Sequence, residues 1–274
     1  MTSLQNPKIK AVFFDVDGTI FSLKTKSIPE STRKAIKNFR EKGIKVIVAT
    51  GRSVNDLSHI KDIDFDGFMT FNGGYCMTVD GQVMYRKVID TDDIKNLIDY
   101  SERSDVSFSL MYEDTLRISH ESPKVLELYR HVDIPVPALV DKENLDIENV
   151  LQVNVFIDPE NEESFMREIM PNSLSSRWTP LFADVNPAGV SKQGGVEYFC
   201  EYFDIDLSET MAFGDGGNDI SMLKSVKIGV AMGNAGDNVK EIADFVTENV
   251  DDHGIERALM YFGLLDKAKA DITG

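Results

Sequence analysis

The chain has 274 residues, 42% of them hydrophobic, which is room for one large domain or two modest ones with an ordinary core. Its 46 acidic and 29 basic residues leave a net charge of -17, which repels nucleic acid and anionic lipid at long range. A small phosphorylated metabolite remains a possible partner, provided that a local positive site offsets the global field. Cys76 and Cys200 form no Cys-x-x-Cys pair and read as buried free thiols. The start, Met1 to Asn6, is polar, and no apolar run is long enough to span a bilayer. The expectation is a soluble, cytoplasmic monomer.

The first strong element is Ile9 to Phe14, a short apolar run that ends in acid and glycine and reads as a buried strand. Pro29 to Lys42 has helical spacing and stops at Gly43. Lys45 to Ala49 is a strand, Val54 to Ile60 a second helix and Gly67 to Thr70 a third strand. This alternation with short loops predicts an open, doubly wound α/β sheet, largely parallel. Tyr75 to Tyr85 holds a hairpin around Asp80-Gly81.

The rhythm then changes. Helices are expected at 91–104, 124–132 and 159–170, and strands at 107–110, 116–119, 150–156, 177–178 and 182–185. This stretch reads as an inserted α+β domain, an antiparallel sheet with helices on one face. The α/β rhythm returns with helices at 192–203, 220–225, 239–243 and 255–262, and strands at 210–213, 228–230 and 245–246. The organisation is a split core, residues 1–82 and 187–274, around an insert at 83–186.

Four core segments sit at strand ends or helix starts, where open α/β sheets bind ligands. Asp15-Val16-Asp17-Gly18-Thr19 places two acids at the end of the first strand; close carboxylates repel unless a cation or proton lies between them. Ala49-Thr50-Gly51-Arg52 offers a hydroxyl and backbone donors to one phosphate oxygen, or simply a helix cap. Lys192 opens a helix against the dipole, which a nearby anion would explain. In Gly214-Asp215-Gly216-Gly217-Asn218-Asp219 two acids flank a glycine pair, and such oxygen ligands suit Mg2+. Singly each segment has an ordinary reading as a turn, a cap or a surface charge; together they point to one phosphate site.

These motifs resemble those of the haloacid dehalogenase superfamily of phosphatases. Asp15-x-Asp17-Gly18-Thr19 is similar to its first motif, Thr50 to the second, Lys192 to the third and Asp215-x-x-Asn218-Asp219 to the fourth. The insert resembles the C2 (IIB) cap of the Cof-type branch, as do Phe71-Asn72-Gly73 and the run from Gly214 to Leu223. The resemblance implies that Asp15 is the nucleophile and that Asp17 is the general acid and then base. It implies phosphate binding by Thr50, Gly51, Lys192 and Asn218. Mg2+ would be held by Asp15, the Asp17 backbone carbonyl and Asp215, with Asp219 acting from behind these ligands. The substrate class it implies is small phosphate monoesters, sugar phosphates above all. A sugar phosphomutase and a catalytically idle sensor of phosphorylated ligands are the competing readings. Arg117, Arg177, Trp178 and Asp184 are candidates to touch a leaving group, although Asp184 also reads as a plain turn acid and Trp178 as core. His120 and His131 lack metal-ligand spacing and read as surface residues.

Overall fold

The structure, a computed structural model, describes residues 8–131, 134–177 and 179–265. Trp178 and Val132 lie outside the described residues. Contacts divide the chain into two compact units. One comprises Met1–Gly51, Asp56–Met84 and Ser191–Gly274; the other comprises Arg52–Asn55 and Tyr85–Val190.

The first unit is built on strands β1 (Ala11–Phe14), β2 (Lys45–Ala49), β3 (Gly67–Thr70) and β4 (Tyr75–Thr78), the start of β5 (Val83–Arg86), which runs past its boundary at Met84, then β11 (Thr210–Gly214), β12 (Ile228–Ala231) and β13 (Phe245–Val246). The sheet order is β13-β12-β11-β1-β2-β3-β4-β5. Every pairing from β13 to β3 is parallel, and β4 returns antiparallel to β3. Strand order reverses at β1, whose neighbours are β2 and β11, so β1 marks the switch point of the sheet.

All four residues of β1 are buried, which fits a central strand covered on both faces. On one face Phe14 stacks on Phe213 with ring centroids 5.0 Å apart. That face is packed by α1 (Glu30–Glu41) through Ala35, Ile36 and Phe39, and by α8 (Gly254–Tyr261) through Ile255, Ala258 and Leu259. On the other, Phe13 meets Phe199 of α5 (Lys192–Phe203) edge to face at 6.3 Å. Each such buried side chain contributes about 1.5–3 kcal/mol.

Two expected core helices differ in detail. Val54–Ile60 is a 3-10 segment broken at Leu57, where φ is -97° and ψ 17°. Its β-branched and Asx residues favour helix weakly, and seven residues cannot sustain one alone. The helix expected at 239–243 is instead α7 (Asp237–Lys240), begun earlier by Gly236. The expected helix at 220–225 is α6 (Ile220–Ser225).

The second unit carries β6 (Phe108–Met111), β7 (Leu116–Ile118), β8 (Gln152–Val155), β9 (Ser173–Ser176) and β10 (Ala183–Pro187) in the order β7-β6-β8-β10-β9, antiparallel throughout. Its helices are α2 (Thr91–Arg103), α3 (Pro123–His131) and α4 (Pro159–Glu168). Phe108, Leu110, Val153, Val155 and Val185 share one sheet face and pack with Ile94 and Leu97 of α2 and Phe165 of α4. The alternate positions are polar: Ser109, Gln152, Asn154, Asp184 and Asn186. Of the closing strand expected at 177–178, Trp178 lies outside the described residues; β9 ends at Ser176, and the Arg177 side chain bonds to Glu162 and to the Ile157 carbonyl.

Candidate active site

Three catalytic-type segments leave the carboxyl ends of adjacent strands. Asp15 follows β1, Thr50 follows β2 and Asp215 follows β11. Asp15 is only 7% exposed, and its backbone N–H donates to the Phe213 carbonyl at 3.0 Å, which pins it beside β11. The chain then turns sharply. Gly18 has φ +83°, and a Cβ there would lie 2.2 Å from Asp215 Oδ2. Glycine is therefore required twice over, for the backbone angle and for the approach of the two acidic loops.

Lys192 lies in the first turn of α5 behind the N-cap Ser191, whose hydroxyl accepts from the Gly194 N–H at 3.2 Å. Its ammonium is fully buried and donates to Asp15 Oδ1 at 2.7 Å and to Asp219 Oδ1 at 2.5 Å. The anion expected beside this lysine is thus a pair of carboxylates. Both hold its pKa above the ordinary lysine value, against the opposing effect of burial.

Asp219 is fully buried and uses both oxygens within the protein. Oδ2 accepts from the backbone N–H groups of Asp215 and Gly216 at 3.0 and 2.9 Å, while Oδ1 takes Lys192. It shapes the loop that carries Asp215. Carboxylate oxygens of Asp15, Asp215 and Asp219 lie within 4.8 Å of one another. One buried ammonium cannot offset that much negative charge. Burial, reinforced by the charges of Asp219 and Asp215, pushes Asp15 well above the usual carboxylate range despite Lys192. Burial and Asp219 push Asp215 up to about 6. Among the contributions to Asp215 is the charge of Asp17. The cluster has the all-oxygen donor set and the surplus of negative charge that a hard divalent cation fits.

Thr50 is buried; its N–H donates to the Met69 carbonyl at 2.8 Å, and its own carbonyl accepts from the Asn72 N–H at 3.0 Å. The Asn218 side-chain amide donates to Asn72 Oδ1 at 2.9 Å. Gly51 lies beside the same Asn72, where an added Cβ would be 3.2 Å from Oδ1.

Three contributors were not assigned from sequence. The buried Thr19 hydroxyl donates to Asp215 Oδ1 at 3.2 Å. Asn234 donates from Nδ2 to the Gly18 carbonyl at 2.9 Å and to Asp215 Oδ2 at 3.0 Å, while its Oδ1 accepts from the Val250 N–H. Asn72 is the third. The run Phe71-Asn72-Gly73 stood out as similar to the Cof-type branch without a role for Asn72, although an asparagine before glycine is also a left-handed turn signal; Thr19 meets Asp215, and Asn234 the Gly18 carbonyl, nearly 200 residues or more away in sequence.

The residues singled out in the insert have varied settings. Asp184 is no turn acid: it is buried on β10, and its Oδ1 accepts from Gln152 Nε2 at 3.2 Å and Asn154 Nδ2 at 2.5 Å. Burial lifts it to about 7, against the Asn154 hydrogen bond. Arg177 is engaged by Glu162 and by the carbonyls of Ile157 and Pro180. Arg117 is exposed and donates to the Thr115 hydroxyl at 2.6 Å. His131 is exposed, and His120 is partly buried beside the Ser119 hydroxyl. Both cysteines are free and buried, and desolvation raises the Cys76 thiol to about 12.

Comparison with known proteins agrees with this geometry. A sequence profile of the haloacid dehalogenase-like hydrolases matches residues 12–259. YkrA of Bacillus subtilis, named as a candidate phosphatase, is 35% identical over 258 residues, which is 93% of this chain and 98% of YkrA. The solved structure of BT1666 from Bacteroides thetaiotaomicron, described among phosphatases of this superfamily, is 38% identical with a TM-score of 0.89, over 96% of this chain and 97% of that one. A second structure, described as the subclass IIB sugar phosphatase BT4131, is 38% identical with a TM-score of 0.85, over 93% of this chain and 100% of that one. A profile match that spans most of the chain, joined to an acid–lysine cluster at the switch point of the sheet, places the protein in a family: it belongs to the haloacid dehalogenase-like hydrolases, and is an enzyme of their phosphatase branch.

Proposed function

We propose that this enzyme is a Mg2+-dependent phosphatase that hydrolyses small phosphate monoesters, sugar phosphates foremost, through an aspartyl phosphate on Asp15. The observation that carries this reading is the buried Lys192 ammonium shared by Asp15 and Asp219, beside an Asp215 carboxylate whose charge nothing in the cluster fully offsets.

Asp15, Asp215 and the backbone carbonyl of Asp17 would hold Mg2+, which when bound neutralises charge on the phosphoryl oxygens. An Asp15 carboxylate oxygen forms a bond to phosphorus as the bond from phosphorus to the leaving oxygen breaks. The Asp17 carboxyl gives its proton to that oxygen and releases the alcohol. The same carboxylate then takes a proton from water. The water oxygen bonds to phosphorus, the bond to Asp15 breaks, and inorganic phosphate leaves. Lys192, the Thr50 hydroxyl, the Gly51 N–H and the Asn218 amide hold the phosphoryl oxygens where charge develops. Burial of Asp15 strips water from the nucleophile, and Lys192 keeps a cation beside it.

The insert at 83–186 is read as the cap that sets specificity. Its polar sheet face offers hydroxyl, carboxamide and carboxylate groups, a chemistry suited to sugar hydroxyls, and BT4131 bears the name of a sugar phosphatase. The test is phosphate release from a panel of phosphorylated sugars, nucleotides and cofactors, each with Mg2+ and with chelator. Release should require the metal and be strongest on hexose or pentose phosphates. Asp15→Asn should lower turnover by about 10⁴-fold or more while inorganic phosphate still binds. Metal-dependent turnover that survives Asp15→Asn would refute the mechanism, and no release from any panel member would favour a mutase or a sensor.

A further inference from the structure

Phe71, Asn72 and Gly73 occupy the left-handed region in succession, with φ of 50°, 56° and 98°. Glycine adopts such angles freely and asparagine tolerates them, but a bulky residue such as Phe71 does so only when its surroundings force it. The turn joins β3 to β4, and all three residues are buried. A two-residue hairpin could join these antiparallel strands without forcing an aromatic residue into that region. Strain retained inside a site is a reason to ask what it positions.

The turn touches three of the four phosphate-site segments. The Asn72 N–H donates to the Thr50 carbonyl at 3.0 Å. Asn72 Oδ1 accepts from the Asn218 amide at 2.9 Å. Gly73 lies against the backbone that leads into Lys192: a Cβ there would be 2.3 Å from the Ser191 carbonyl oxygen. Asn72 also borders Gly51, where an added Cβ would come within 3.2 Å of the carboxamide, a close approach.

We propose that Asn72 is a positioning residue of the phosphate site: its carboxamide orients Asn218, and the left-handed turn that carries it sets Asn218 and the Thr50-Gly51 segment at a fixed spacing. The inference rests on the reading of Thr50, Gly51 and Asn218 as phosphate-binding residues. Asn218 has one carboxamide, and its donor nitrogen is directed to Asn72. Without that acceptor the Asn218 side chain is free to rotate out of register with Thr50, and the phosphoryl group loses a preorganised contact.

The test uses Asn72→Gly, which removes the carboxamide and eases the backbone, and Asn218→Ala, which removes the same hydrogen bond from its other end and leaves the turn untouched. Each should raise the KM of a sugar phosphate and the dissociation constant of inorganic phosphate by about tenfold. Asn72→Gly should leave Tm unchanged or higher. In the double variant the two effects should not multiply, because Asn72 acts through Asn218. Unchanged KM and phosphate affinity in Asn72→Gly would overturn the proposal, as would effects that multiply in the double variant. Wild-type activity keeps the two readings apart: a wild type without phosphate release defeats the proposed function itself, whereas an active wild type with an indifferent Asn72→Gly defeats only the role of Asn72.

Discussion

Asp15 and Asp219 share the ammonium of Lys192, whereas Asp184, in the inserted unit, accepts from the neutral side chains of Gln152 and Asn154. All three acids are buried, yet their surroundings prepare them for different states. In the core cluster a full positive charge sits in contact with two carboxylates, and a third lies within reach. Such a group of charges is tolerable in low dielectric only when cations balance it. In the insert no ion pair to Asp184 is found among the described residues; neutral donors hold it, and burial lifts its pKa to about 7. The first arrangement sets a cation against its acids, although burial and the neighbouring carboxylates still raise Asp15; the second leaves a carboxyl to neutral donors inside a polar sheet face.

The largest break in this comparison is Lys192→Met, which keeps the volume and deletes the charge. Asp15 and Asp219 then face each other without their buried counterion. Removing one partner of a buried pair costs about 3–5 kcal/mol. With chelator present Tm should therefore fall by roughly 6–15 °C, and phosphate release should be lost. Added Mg2+ should recover part of the stability, since a dication can supply the missing balance. Thermal denaturation with and without Mg2+ reads this directly. A variant as stable as wild type in chelator would mean that Lys192 does not compensate the cluster.

Asp184→Asn sharpens the other side. In the fold this carboxyl titrates near 7, above the ordinary aspartate value from which it departs. Below about pH 4 it is protonated whether folded or unfolded, and no stability is lost. Between about pH 4 and 7 the unfolded chain releases the proton while the folded chain keeps it, so stability falls as pH rises. Above about pH 7 the loss is complete and constant. Wild type should thus lose on the order of 3 kcal/mol relative to Asp184→Asn across that window. Denaturant titrations of both proteins at pH 4.5 and pH 8 measure the difference; a gap that does not widen with pH would place a counterion near Asp184.

The comparison also marks what sequence could show. The acids at 15, 215 and 219 and the lysine at 192, which the structure brings together, stood out in the sequence by their positions. Acids directly follow apolar strands, and a cation opens a helix where the dipole disfavours it. The doubly wound parallel sheet followed from the alternation of strands with helices, whereas its strand order did not. A strand was expected at 182–185, but not that its polar side chain at Asp184 would join a buried network, because the partners lie on β8. The 3-10 character of 54–60 escaped because apolar spacing marks a face and not the hydrogen-bond pattern beneath it. Asn72 bonds Asn218 and Asn234 bonds the Gly18 carbonyl, 146 and 216 residues away in sequence, and a single side chain carries no periodicity that would reveal such a contact.

Asn234 gives the smallest and most local prediction, and it bears on how the core cluster holds its third carboxylate. Thr19 donates to one oxygen of Asp215 and Asn234 to the other, so neutral groups grip this side chain from both ends. Asn234 also ties Asp215 to the Gly18 carbonyl and, through its own oxygen, to the Val250 N–H, which links the two acidic loops to a third segment. Asn234 is exposed, so Asn234→Ala should cost little stability, less than about 1 kcal/mol. Its effect should fall on metal affinity, because a carboxylate released from its orienting partner must be ordered again on binding. Loss of such a partner typically weakens a metal site by about tenfold or more. Calorimetric titration with Mg2+ should show that weakening without a matching fall in Tm. An equal Mg2+ affinity in the two proteins would assign the orientation of Asp215 to Thr19 and the backbone alone, and would leave Asn234 as a link between loops.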